Sequence, residues 1–151
     1  MNTSEKGITL IKYFEGVHAT PYRCPAGYWT IGVGHLISYD DELLSSWDRT
    51  LSDDEINNLL KNDLKKFENG VIRLLHPKQP NQSEFDALVS FSFNLGLGTL
   101  QRSSIRSKIN RGDKEGAIET LLKYCRAGGK VLRGLERRRA AEANLFFIHV
   151  K

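Results

Sequence analysis

Cysteine is scarce in this chain of 151 residues, which holds only Cys24 and Cys125. Two thiols cannot build the disulfide framework of a small secreted scaffold, and neither lies in a CxxC or Cys/His metal pattern. Both are expected to be free. There are four prolines, and no Pro/Gly/Ser-rich stretch is long enough to part the chain into domains. No apolar run approaches the ~20 residues that span a bilayer. The opening Met1-Asn2-Thr3-Ser4-Glu5-Lys6 lacks the basic start and apolar run of a secretory signal. These absences predict a soluble protein that does not insert stably into a membrane and carries no export signal of its own. His18, His76 and His149 lack metal-ligand spacing and read as surface residues. No cofactor or metal is called for.

What is present is ordinary for a globular protein. Hydrophobic residues make up 40% and charged residues 26%, enough for a core without staples and too apolar for disorder. The length predicts a single domain over 1–151. Charge is unevenly spread. Residues 101–151 hold 13 Lys+Arg against 5 Asp+Glu, whereas residues 1–100 hold 9 against 13. A basic C-terminal third suits a polyanion such as nucleic acid, an anionic membrane surface or an anionic cell wall. The plainer reading is a solvated face, which charge alone favours without deciding the matter.

Periodicity lays out the elements. Ile8, Ile11 and Phe14 recur at threes over Ser4 to Glu15, and Gly16 follows as a stop, which predicts a helix. Residues 18–37 turn aromatic and β-branched around Pro25-Ala26-Gly27, the pattern of a β-hairpin. If its turn centres on Gly27, Cys24 pairs with Thr30. Ser52 and Glu55 form a capping box for a helix carrying Ile56, Leu59, Leu60, Leu64 and Phe67, interrupted at Asn69-Gly70. Pro77 and Pro80 mark a loop, and Asn81 with Glu84 starts the next helix. Its apolar residues, Phe85 to Leu95, lie on nearly all sides, as in the buried centre of a bundle, and Gly96 and Gly98 end it. A short helix over Ser103–Asn110, one capped by Asp113, a break at Gly128-Gly129 and a helix over Leu135–Ile148 complete the chain. The fold class is α+β: a helix, a small antiparallel sheet lobe (about 16–50) and a helical lobe (about 52–151), with a cleft between the lobes.

The residues that carry chemistry sit early. Glu15 lies in the last turn of the first helix, where the macrodipole disfavours a charged carboxylate. A carboxyl group kept protonated is what a general acid requires. Position alone favours an ordinary exposed glutamate at a helix end. Opposed residues of an antiparallel pair share a face, so Cys24 and Thr30 are expected side by side, facing the end of that helix. An acid facing small polar groups across a gap is the layout of an inverting glycosidase.

At this point the chain resembles the phage-type lysozymes, or endolysins, of glycoside hydrolase family 24. The resemblance rests on Glu15-Gly16, Tyr22 and the run Thr30-Ile31-Gly32-Val33-Gly34-His35. It extends through Phe85-Asp86-Ala87-Leu88 to Asn94-Leu95-Gly96, then Ala127-Gly128-Gly129-Lys130 and Gly134-Leu135-Glu136-Arg137-Arg138-Arg139. It implies a lysozyme-like fold and hydrolysis of the β-1,4 bond between N-acetylmuramic acid and N-acetylglucosamine in peptidoglycan, without cofactor. It implies a monomer held in the host cytoplasm and acting on the cell wall after a separate protein permeabilises the membrane. The family's Glu, Asp and Thr map to Glu15 as general acid, Cys24 and Thr30. Cys24 departs from the usual Asp. A thiol near ~8.5 is mostly neutral where a carboxylate near ~3.9 is ionised. Cys24 therefore serves as a weaker water-positioning group, fills space while Glu15 and Thr30 do the work, or marks a protein that only binds glycan. His35 is expected to be buried and hydrogen-bonded in a structural role, and Asn94 to bond at a helix end. Of Arg137-Arg138-Arg139, one is expected in an internal ion pair and two in solvent. A nucleic-acid binder is the remaining alternative. It is disfavoured because no reader motif is present and the aromatics fall at core spacing.

Overall fold

The computed structural model describes residues 1–38 and 42–148, so the expectation for His149 lies outside the described residues. In chain order the elements are α1 (Glu5–Glu15), β1 (His18–Arg23), β2 (Trp29–Gly32), β3 (His35–Ser38), a 3-10 turn (Ser45–Trp47), α2 (Asp53–Leu75), α3 (Gln82–Leu95), α4 (Leu97–Arg102), α5 (Ser104–Asn110), α6 (Lys114–Leu122), β4 (Arg126–Ala127), β5 (Lys130–Val131) and α7 (Arg133–Phe146). The class is α+β, as the periodicity predicts. Among the described residues no helix is long and apolar enough to cross a membrane. The chain forms two compact units, one of residues 11–65 and one of residues 1–10 with 66–151.

The unit of residues 11–65 holds the sheet, in the order β1-β2-β3, with both pairs antiparallel. Its core is Ile11, Ile31, Val33, Leu51, Ile56, Leu60 and Leu64, all buried. Each such side chain contributes about 1.5–3 kcal/mol of burial. β1 is an edge strand whose register shifts between His18 and Tyr22. It contains Pro21, and the Ala19 carbonyl accepts from the Leu51 N–H at 2.8 Å. The α2 capping box forms as expected: the Ser52 N–H donates to Glu55 Oε1, and the Glu55 N–H to Ser52 Oγ, each at 3.1 Å.

In the other unit α3 is the buried centre. Asn81 Oδ1 accepts from the Glu84 N–H at 2.8 Å, Glu84 Oε1 accepts from the Asn81 N–H at 2.9 Å, and Ser83 through Ser92 are buried. Asp86 caps the start of α1, accepting from the Ser4 N–H at 3.0 Å and from the Ser4 hydroxyl. Three sequence expectations are corrected here. Asn69-Gly70 does not break α2, which runs on to Leu75. Gly70 serves close approach instead, because a Cβ there would stand 2.4 Å from Leu97 Cδ1. Gly98 lies inside α4 rather than ending a helix. Two of the three consecutive arginines are buried, not one: Arg138 and Arg139 converge on buried Glu142, while Arg137 is exposed. Arg139 also donates to Asn94 Oδ1 at 2.6 Å, so Asn94 bonds across to α7.

Candidate active site

The candidate site is built within residues 11–65. α1 presents Glu15 in its last turn, half-buried, and the Gly16 N–H closes the helix on the Lys12 carbonyl at 2.9 Å. The sheet then supplies one face. Tyr22 pairs with Thr30 and Arg23 with Trp29, and the Cys24 N–H donates to the Tyr28 carbonyl at 2.9 Å. The turn therefore centres on Ala26, not Gly27, and Cys24 does not oppose Thr30. The correction is a shift of two residues, which preserves the two-residue side-chain period. Cys24 and Thr30 still share a face as diagonal neighbours, with Tyr22 beside them. The Gly27 N–H closes the turn on the Cys24 carbonyl at 2.8 Å. Arg23 braces it from outside, donating to the Gly27 carbonyl at 3.2 Å while its guanidinium lies 4.8 Å from the Trp29 ring centre.

The electrostatics of this face are distinctive. The Cys24 thiol is held below its ordinary value, chiefly by the backbone N–H of Tyr28. The Ala26 N–H, the Thr30 hydroxyl and the Gly27 N–H add to that pull, against an opposing push from burial. Hydrogen bonds to the charged form favour that form, so this turn is a cradle for a thiolate. Buried Thr30 also donates from Oγ1 to the Tyr28 carbonyl at 3.0 Å. One hydroxyl proton cannot serve two acceptors at once, so ionisation of Cys24 competes with the Tyr28 carbonyl for Thr30. The Tyr22 phenol is pushed up by burial, then by the negative charges of Cys24 and Glu15. Tyr22 thus lies within electrostatic reach of both groups that the sequence singles out.

Tyr22 and His18 extend the face beyond those expectations. Their rings stack with centroids 3.9 Å apart, so His18, exposed as expected, is also part of this surface. Tyr22 lies two residues before Cys24, and strand alternation alone assigns it to the same face. His35 is half-buried rather than buried, and its Nδ1 pairs with Asp63 Oδ2 of α2 at 2.7 Å beside the Trp47 ring. It ties β3 to α2, a structural part as expected. Gly32 and Gly34 take φ of +66° and +68° in the tight turn into β3, a conformation that disfavours any residue with a Cβ. Cys125 belongs to the other unit, and both cysteines are free thiols. Among the described residues no cluster of His, Cys, Asp or Glu could hold a metal ion.

The family model described as phage lysozyme matches residues 12–142. The chain belongs to the phage lysozyme family. It is 40% identical over 148 residues to an endolysin of Bacillus phage B103, covering 97% of this chain and 54% of that protein. It is 36% identical to an endolysin of Acyrthosiphon pisum secondary endosymbiont phage 1, covering 97% and 98%. The chain spans about half the length of the Bacillus phage endolysins it matches. Among solved structures, an endolysin from Escherichia coli O157:H7 phage FAHEc1 superposes with a TM-score of 0.85 at 32% identity, covering 98% of this chain and 94% of that one. The muramidase domain of SpmX from Asticaccaulis excentricus gives 0.81 at 33% identity, covering 95% and 96%. The fold is therefore lysozyme-like.

Proposed function

We propose that the chain is a lysozyme, a glycoside hydrolase that cleaves the β-1,4 bond between N-acetylmuramic acid and N-acetylglucosamine in bacterial peptidoglycan. Membership of the phage lysozyme family supports this reading, as do relatives named endolysin and a structural neighbour named a muramidase domain. The observation that carries the assignment of residues is the register of the β1–β2 pair, which sets Tyr22, Cys24 and Thr30 on one face; the upward push on the Tyr22 phenol from burial, then Cys24 and Glu15, agrees with it.

In this reading Glu15 gives its proton to the glycosidic oxygen as the bond from the muramic acid C1 breaks. A water held by the Thr30 hydroxyl adds to C1 from the opposite side and passes its proton to the Cys24 thiolate. Water attack opposite the leaving oxygen inverts the anomeric centre. The thiolate replaces the usual carboxylate as base because its turn favours the charged form. The chain acts on the wall as a monomer, its two compact units working as one domain and without a cofactor. Glu15→Gln removes the transferable proton and is expected to abolish solubilisation of purified sacculi. Mass spectrometry of the wild-type digest is expected to show reducing ends. Anhydro-sugar ends would instead mean that the muramic acid's own C6 hydroxyl, rather than water, attacks C1. Full activity in Glu15→Gln would overturn the assignment.

A further inference from the structure

The β4–β5 hairpin carries an exposed surface to which the proposed mechanism assigns no role. Arg126 pairs with Val131 and Ala127 with Lys130, and the Leu132 N–H continues the ladder to the Cys125 carbonyl at 2.9 Å. Every residue from Arg126 to Gly134 is exposed, on both faces of the ribbon. Two paired residues per strand do not stabilise a free hairpin, and its apolar side chains stay partly exposed. Val131 and Leu132 are 43% and 44% exposed, and Leu122, at the end of α6 just before the hairpin, is 42% exposed.

The charge around these apolar side chains has one sign. From Lys123 to Leu135 the chain holds four cations, Lys123, Arg126, Lys130 and Arg133, and no carboxylate. None of the four makes an ion pair among the described residues. Among the described residues the Arg126 side chain bonds only within the hairpin, to the Gly129 carbonyl at 3.4 Å. Alternation sets one cation and one apolar side chain on each face: Arg126 with Val131 on one, Lys130 with Leu132 on the other. A soluble polyanion would call for the cations alone. Cations interleaved with exposed aliphatic tips match an interface in which headgroup phosphates lie level with the acyl chains.

We propose that the β4–β5 hairpin is a peripheral docking surface for an anionic phospholipid bilayer, with Arg126, Lys130 and Arg133 on headgroup phosphates and Val131 and Leu132 dipping to the acyl boundary. The proposal stands apart from the hydrolytic reading, and its test reads binding rather than cleavage. The purified chain is sedimented with phosphatidylglycerol/phosphatidylcholine vesicles, with pure phosphatidylcholine vesicles and with lipid-free sacculi. The chain is expected to partition onto the anionic vesicles and not the neutral ones. Each basic side chain contributes about fivefold to partition, so Arg126→Ala with Lys130→Ala is expected to lower it about 25-fold. Val131→Ser with Leu132→Ser is expected to lower it further at high salt, where the electrostatic share is screened. All four substitutions sit in exposed positions, and an unchanged melting temperature verifies the fold of each variant. Equal partition of wild type and both variants would overturn the proposal. So would variants that lose binding to sacculi while keeping their binding to vesicles, which would make the hairpin a contact for the wall polymer.

Discussion

Tyr22 stands directly opposite Thr30 across the β1–β2 pair, and Cys24 lies two residues further along the same face. This register gives Cys24 a turn of backbone N–H groups to rest on, where a carboxylate would be ionised without such help. In the proposed mechanism the thiol serves as base because the turn Ala26-Gly27-Tyr28 and Thr30 favour its charged form.

Removing that base is expected to cost activity in proportion to its role. Cys24→Ala should lower kcat on solubilised peptidoglycan by about 10²–10⁴, the span of general acid–base contributions. Cys24→Asp should match or exceed the wild type, because a carboxylate is ionised throughout the neutral range. Wild-type activity in Cys24→Ala would assign the water to Thr30 alone.

The same cradle predicts how the thiol titrates. With its value lowered in the folded chain, Cys24 is expected to reach half-maximal alkylation by iodoacetamide at a lower pH than in the urea-unfolded chain, read in a Cys125→Ser background. Below that pH the thiol is protonated and slow; above it the rate is flat. Thr30→Val removes one donor to the thiolate and is expected to move the alkylation midpoint upward.

Burial of charge in α7 predicts a stability effect. Glu142 is fully buried, accepts 2.5 Å from the Ser90 hydroxyl and faces two buried arginines. Its carboxyl is pushed up by burial, against the pull of Arg139. Arg139 Nε lies 2.8 Å from Glu142 Oε1 but without the alignment of a hydrogen bond. Glu142→Gln leaves both guanidinium groups without their counter-charge and is expected to destabilise by about 3–5 kcal/mol in urea unfolding.

Two helical glycines should respond in opposite directions to alanine. At Gly70 the new methyl would meet Leu97 at 2.4 Å, and overpacking is expected to cost about 1–3 kcal/mol. At Gly134, near the start of α7, nothing lies within 4 Å, and the gain in helix propensity is expected to be about 0.5 kcal/mol. Thermal melts of the two variants check the pair.

How much of this was legible in the sequence depended on how local the cause was. Capping at Ser52 and Asn81, the all-round burial of α3 and the shared face of Cys24 and Thr30 follow from neighbours a few residues apart. Gly70 was misread as a stop because its reason, Leu97, lies 27 positions away in the sequence. The turn centre was misplaced because Pro25-Ala26-Gly27 fits two registers until the Tyr28 carbonyl takes the Cys24 N–H. The second buried arginine is set by the packing of α7 on α3, and the short β4–β5 ribbon falls below the length at which alternation can be read. Tyr22 was recognised as a marker of the family, but its electrical tie to Glu15 and Cys24 appears only in three dimensions.

The outer rim of β1 offers little to a neighbouring molecule. Pro21 supplies no N–H along it, the register shift between His18 and Tyr22 bends it, and the Ala19 carbonyl is already taken by Leu51. A strand from a second copy would find a broken template there. That edge of the small sheet is thereby guarded against strand addition, and crowding many copies together does not favour fibrils seeded at this margin.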